Sequence, residues 1–372
     1  MITSAVFPAR YIQGCDAIRE LPKHLSQLGD SCLLIVDPGI ASWARPLLAD
    51  ILQEGIEYEW LDFSGEATEA AMGHAAELLC ESHHAIVVGI GGGKAIDTAK
   101  GAAHFVRGTR VVAIPTIAAS DAPCSKNAVV YTPEHTVARD IHGRCNPDLV
   151  LVDTAIIAKA PSRFLSAGIA DALATWLEAE SAMKTRCENF TGYSSTLTAF
   201  TVARLCYDTL LEYGALALAH CDQELVTPAL ERVVEAATLM STIGFESCGL
   251  GAAHGFHQGI SEWEETHDRL HGEKVAFGLL ASLFLTDKPV ETIQSLYQFA
   301  GDVRLPLTLS DLGVENYDEK KLRIAVERML RPGECTFNEP VMYSERDYME
   351  AFRAADAYGH QFKSSMAFGE KQ

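Results

Sequence analysis

The sequence predicts a two-domain chain: an α/β domain on a parallel sheet over residues 1–160, then an all-helical domain over residues 161–372. Three observations predict it. The length of 372 residues exceeds what one compact core usually serves. Short β-branched and aliphatic runs recur through the first part at a spacing of about 25 residues, the rhythm of strands joined by crossover helices. After Pro161 those runs give way to Ala-, Leu- and Glu-rich stretches at helical period.

In chain order, the runs Leu33 to Asp37, Tyr58 to Phe63, Ala85 to Gly89, Arg110 to Pro115 and Leu149 to Asp153 are nearly continuous in apolar residues, as strands buried on both faces are. Between them Ala67 to Cys80 and Ala95 to Val106 carry the apolar period of helices. Beyond the boundary, helices are expected over Pro161 to Lys184, Thr191 to Leu218, Pro228 to Ser247, His254 to Ser261, Glu273 to Leu285 and Glu345 to Ala357. No repeat, low-complexity tract or flexible linker interrupts them, so the boundary is a change of element type.

Hydrophobic residues at 48% and charged residues at 22% describe a packed chain and exclude general disorder. Fifty acidic against 30 basic side chains give a formal charge of -20, a field that repels nucleic acid and anionic membranes. Any phosphate must therefore be held by local backbone N–H groups. Ten scattered cysteines without a C-x-x-C pair suit a reducing cytoplasm rather than a disulfide framework or a structural zinc cluster. The start lacks an export signal, and the longest apolar-rich run, near Val275 to Leu285, is too short to cross a bilayer.

Three glycines, Gly91, Gly92 and Gly93, stand between a buried strand and a helix expected to begin near Lys94. Without Cβ atoms the backbone can approach a pyrophosphate, and the helix start offers it free N–H groups and a positive dipole end. Neither standard fingerprint is present: Lys94 stands at the last glycine of G-x-G-x-x-G, and Val88 and Ala95 break the Walker pattern. Asp37, at the end of an earlier strand, is placed to accept hydrogen bonds from an adenosine ribose and to disfavour a 2′-phosphate, so the dinucleotide expected is NAD.

In the helical half Asp171 lies among small apolar residues, where a buried carboxylate needs a cation, a metal or hydrogen-bond donors. His254 and His271 lie in glycine-bearing segments before or within helices, and one carboxylate with two imidazoles suits a divalent metal. On spacing alone His257 and His267 serve equally well. Three protein ligands leave positions for substrate, as in a catalytic site.

These segments together resemble the glycerol dehydrogenases of the iron-containing alcohol dehydrogenase superfamily. The resemblance rests on Ala113 to Ser125 (AIPTIAASDAPCS), on Val88 to Lys94 (VGIGGGK) and on His271 to Gly278 (HGEKVAFG), in the family's order across most of the chain. It implies a dinucleotide-binding first domain on a two-domain plan shared with dehydroquinate synthase. It implies zinc on Asp171, His254 and His271, NAD contacts from Asp37, Gly93, Lys94, Thr116, Ser125 and Tyr131, and a substrate contact from Asp121. Gly91, Gly92 and Asn127 complete the cofactor set. The chain departs from the family at Ala119-Ser120, where Ser-Thr is usual, and at Lys126-Asn127. Thr175 stands where the iron-binding branch has a fourth ligand, a histidine one helical turn after Asp171.

The activity implied is NAD-dependent oxidation of glycerol or a similar vicinal diol to a hydroxyketone such as dihydroxyacetone, by hydride transfer from an alkoxide held on the metal. A homo-oligomer is expected by the same resemblance, with an octamer as its size. The alternatives are a dehydroquinate synthase-like lyase, a dehydrogenase of another small diol or hydroxyacid, and a catalytically silent NAD-binding protein. The lyase's phosphorylated, carboxylated substrate calls for a basic cluster, whereas only Arg269 and Lys274 flank the ligand segments.

Overall fold

The computed structural model describes residues 2–53, 55–133 and 136–369. The chain forms two compact units, one of Phe7–Ser162 with His220–Thr242, the other of Met1–Val6, Arg163–Ala219 and Ile243–Gln372. A helical segment well beyond residue 161 thus belongs with the sheet.

Among the described residues of the first unit the strands are β1 (Tyr11–Gly14), β2 (Ser31–Val36), β3 (Glu57–Leu61), β4 (Ile86–Gly91), β5 (Arg110–Pro115), β6 (Asn127–Tyr131), β7 (Val137–His142) and β8 (Leu149–Asp153). Six of them form one sheet in the order β1-β8-β5-β4-β2-β3, every adjacent pair parallel. Alternation along each strand feeds two cores. Leu33, Ile35 and Val87 pack on one face with Ala95 and Ala99 of the helix Gly93–Phe105, while Leu34, Val36, Ile86, Val88 and Ile90 pack on the other with Leu48 of the helix Ala41–Ile51. Burial on both faces is why these strands read as continuous apolar runs.

The chain leaves β2 toward the β3 edge and leaves β4 in the opposite direction, toward β5. Adjacent strands whose connections diverge in this way open a crevice at their carboxyl ends, where ligands of α/β sheets bind. Asp37 follows β2 and the glycine triplet closes β4, so both stand at that point.

The second unit is helical, with Ser162–Thr185, Leu197–Cys221, Ala252–Ile260, His271–Leu285, Val290–Asp302, Glu319–Met329 and Glu345–Gly369 as its longer elements. Its core gathers Phe256, Phe277, Tyr348 and Phe352, with Phe256 set edge-on to Phe352 at 4.8 Å between ring centres. Each such ring stabilises the fold by about 1.5–3 kcal/mol. No helix among the described residues is long and apolar enough to cross a membrane.

Three features depart from expectation. β1 is short and half-polar, and it is stabilised at a distance, since Gln13 Nε2 donates to Glu231 Oε2 at 2.6 Å. β6 and β7 form an antiparallel ribbon whose second strand, VARDIH, is mostly exposed and carries no strand signature. The single helix expected over Pro228 to Ser247 is Pro228–Glu235 and Ser241–Cys248 joined by a π-turn at Ala236–Met240.

Candidate active site

Asp171 faces inward from the helix Ser162–Thr185 with its side chain only 3% exposed. His271 opens the helix His271–Leu285, and Gly272 brings that helix against its neighbour: a Cβ there would run into the carbonyl oxygen of Ala167, one helical turn before Asp171. His254 comes from the short helix Ala252–Ile260. Asp171 Oδ1 stands 3.1 Å from His271 Nε2 and 3.3 Å from His254 Nε2, and one ligand atom from each of the three residues lies within 4.8 Å of the others. Bonds of about 2.0–2.1 Å in a tetrahedral site put ligand atoms roughly 3.3–3.4 Å apart, so the donors fit one divalent ion.

Charge points the same way. Burial works against ionisation of Asp171, yet the imidazoles of His271 and His254 hold its carboxyl well below the usual range. Burial likewise opposes charge on His254, yet Glu178 and Asp171 raise it well above an ordinary imidazole. Two buried carboxylates around one imidazole favour positive charge at this point, which a proton on His254 or a bound cation can supply. The cluster is enclosed on the Asp171 side and open on the other, where the His271 side chain is 44% exposed.

Of the other imidazoles, His257 Nε2 lies 3.1 Å from His271 Nδ1, behind the ligand, and burial followed by its neighbours His271 and Lys274 pushes it well down, toward the neutral form. His267 is exposed and stands apart from the cluster. Thr175, buried one turn beyond Asp171, adds no imidazole.

The remaining expected residues lie in the first unit. Gly91 has φ +145°, and a Cβ there would stand 2.5 Å from the Cβ of Asp37, so glycine is required where β4 passes Asp37. Asp37 accepts from the Gly39 N–H at 2.8 Å. The helix Gly93–Phe105 starts after Gly92 without a side-chain cap, which leaves its first N–H groups for an anion. Lys94 Nζ pairs with Glu66 at 2.7 Å and lies 5.0 Å above the Tyr131 ring, so two of the expected residues meet each other. The buried Thr116 donates its N–H to Gly91 O at 3.1 Å. Asp121 Oδ2 accepts from Ser241 Oγ at 2.7 Å and its carbonyl from Thr242 Oγ1 at 2.8 Å, both groups just past the π-turn.

Ser125 and Asn127 are organised by a residue that sequence reasoning missed. The buried Lys100 donates to Ala122 O at 2.7 Å and to Asn127 O at 2.5 Å, lies 3.4 Å from Ser125 Oγ and pairs with Asp97 at 2.9 Å. Glu178 is the second omission. Its carboxylate accepts from His254 Nδ1 at 2.7 Å and from the His254 backbone N–H at 2.9 Å. A signal existed: Glu178 follows Asp171 by seven residues, two helical turns along the same face.

The iron-containing alcohol dehydrogenase family model matches residues 8–154. The glycerol dehydrogenase of Thermotoga maritima is 44% identical over 371 residues, 98% of this chain and 100% of that protein, and that of Pseudomonas putida is 41% identical over 95% of this chain and 97% of its own. The crystal structure of glycerol dehydrogenase from Schizosaccharomyces pombe superposes with a TM-score of 0.94 at 33% identity, covering 98% of this chain and 93% of that one.

Proposed function

The chain belongs to the iron-containing alcohol dehydrogenase family, and from that membership we propose that it is an NAD-dependent glycerol dehydrogenase, oxidising glycerol or a close vicinal diol to the hydroxyketone. The observation that carries this reading is the convergence of Asp171, His254 and His271 on one point. A three-ligand N, N, O set without a fourth histidine at Thr175 favours zinc. A divalent ion held by these residues would supply Lewis acidity toward a substrate hydroxyl, and a bound dinucleotide would supply the hydride acceptor.

The chain's own groups supply position and charge. Asp171, His254 and His271 hold the cation, and the exposed His271 side is where a diol enters. Asp121, fixed by Ser241 and Thr242, orients substrate. Gly91, Gly92 and Gly93 let the backbone approach the pyrophosphate, which the uncapped N–H groups of the following helix hold. Asp37 receives the adenosine ribose. Lys94, Thr116, Ser125, Asn127 and Tyr131 line the same cofactor edge. Ten free thiols support a reducing, cytoplasmic setting.

His271→Ala tests the assignment through NADH formation from glycerol at matched metal loading. The expected kcat/KM falls by at least about 10²-fold, as for loss of a group that stabilises developing charge; undiminished turnover refutes the reading. Net NADH accumulation with a simple diol separates a dehydrogenase from the lyase alternative, which reoxidises its cofactor in each turnover.

A further inference from the structure

The helix Ala252–Ile260 begins on two buried glutamates. Glu339 Oε1 accepts from the Ala252 N–H at 2.8 Å and its Oε2 from Ser181 Oγ at 2.6 Å. Glu178 Oε1 accepts from the His254 N–H at 2.9 Å while Oε2 meets His254 Nδ1 at 2.7 Å. Both carboxylates lie at the positive end of the helix, but Glu178 alone touches the imidazole as well as the backbone of the same residue.

We infer that Glu178 is a positioning residue for the metal: by accepting from both N–H groups of His254, it holds the imidazole in the tautomer whose Nε2 is free to ligate. An ionised carboxylate only accepts hydrogen bonds, so a proton on Nδ1 is fixed by its partner. Nε2 is then the atom that stands 3.3 Å from Asp171 Oδ1, on the ligand side of the ring. With Glu178 only 2% exposed, water does not substitute for it. The inference rests on the metal reading above and adds to it the group that decides which His254 nitrogen carries a proton.

Glu178→Gln probes the tautomer at constant size. A glutamine has one acceptor and one donor end, whereas the two His254 groups facing it are both donors in the ligating tautomer. If the amide oxygen serves the backbone N–H, its NH2 faces Nδ1 and favours a proton on Nε2; if the amide flips, its NH2 opposes the backbone N–H. Glu339→Gln is the control, because Ser181 Oγ can accept from an amide NH2 while the oxygen keeps Ala252.

The experiment measures zinc affinity of the full-length protein by competition with a chromophoric chelator, and the visible absorption of the cobalt form, for wild type, E178Q, E339Q and His271→Ala. E178Q is expected to bind zinc about 10–100-fold more weakly, the usual effect of removing a group that orients a ligand histidine, with altered cobalt bands. E339Q stays near wild type. Wild-type affinity and an unchanged cobalt spectrum in E178Q overturn the inference. If zinc binding also survives in His271→Ala, the metal reading itself fails; if His271→Ala loses zinc while E178Q keeps it, only the role of Glu178 fails. Should E178Q not fold, Glu178→Asp replaces it. That variant keeps the charge one carbon shorter and is expected to lose affinity as well, whereas wild-type affinity there overturns the inference.

Discussion

Lys100 and Asp97 illustrate what a single residue does here that its position in the chain conceals. Lys100 is buried on the helix that follows the glycine triplet, and it ties Ala122 and Asn127 to that helix. Burial raises the Asp97 carboxyl above its ordinary range, against the opposing pull of Lys100. Lys100→Met leaves Asp97 buried without its partner, and the expected cost near pH 7 is about 3–5 kcal/mol, measured by denaturant unfolding. The sign with pH follows from proton binding. A carboxyl whose folded pKa lies above its unfolded value binds more protons when folded, so stability is greatest at low pH and falls as pH rises through that window. The deficit of Lys100→Met should therefore grow from pH 4 to pH 7; a deficit independent of pH contradicts the account. Asp171 was legible in sequence because small apolar neighbours left its charge unexplained. Lys100 was not, because the two carbonyls it holds lie 22 and 27 residues onward and only the fold brings them together.

At the level of elements, two glycines permit the close approaches on which the two proposed sites depend. Gly91→Ala forces an unfavourable φ and a clash with Asp37, and it is expected to raise KM for NAD+ about tenfold or more, equivalent to about 1.4 kcal/mol; an unchanged KM in initial-rate measurements contradicts the role given to the loop. Gly272→Ala pushes the His271 helix off Ala167; it should cost about 1–3 kcal/mol of stability and weaken metal binding in the same variant, measured by thermal unfolding with and without zinc. Metal affinity equal to wild type in Gly272→Ala contradicts the role given to that contact. The doubly covered strands were legible because burial on both faces leaves unbroken apolar runs, and β5 and β8 lie where those runs stand. β1 and the π-turn were not, since partners distant in sequence meet them, Glu231 on Gln13 and Tyr11 on Thr238; the ribbon β6–β7 was not, because its second strand is mostly exposed and carries no apolar run.

For the whole molecule, the strongly negative charge means that nothing general draws an anionic cofactor in, so under the proposed function the glycine loop and helix start would do so locally. Two acidic side chains, Asp171 and Glu178, are buried beside His254. A cation that binds only the folded chain stabilises it by about 2.7 kcal/mol at a hundred times its Kd, so chelation should lower the unfolding midpoint and added zinc restore it. The most direct measurement is anomalous diffraction at the zinc edge from crystals of the zinc-loaded protein. The account predicts a peak at bonding distance, about 2.0–2.2 Å, from Asp171, His254 Nε2 and His271 Nε2 together; a peak that touches fewer than these three, or zinc bound elsewhere in the chain, contradicts it.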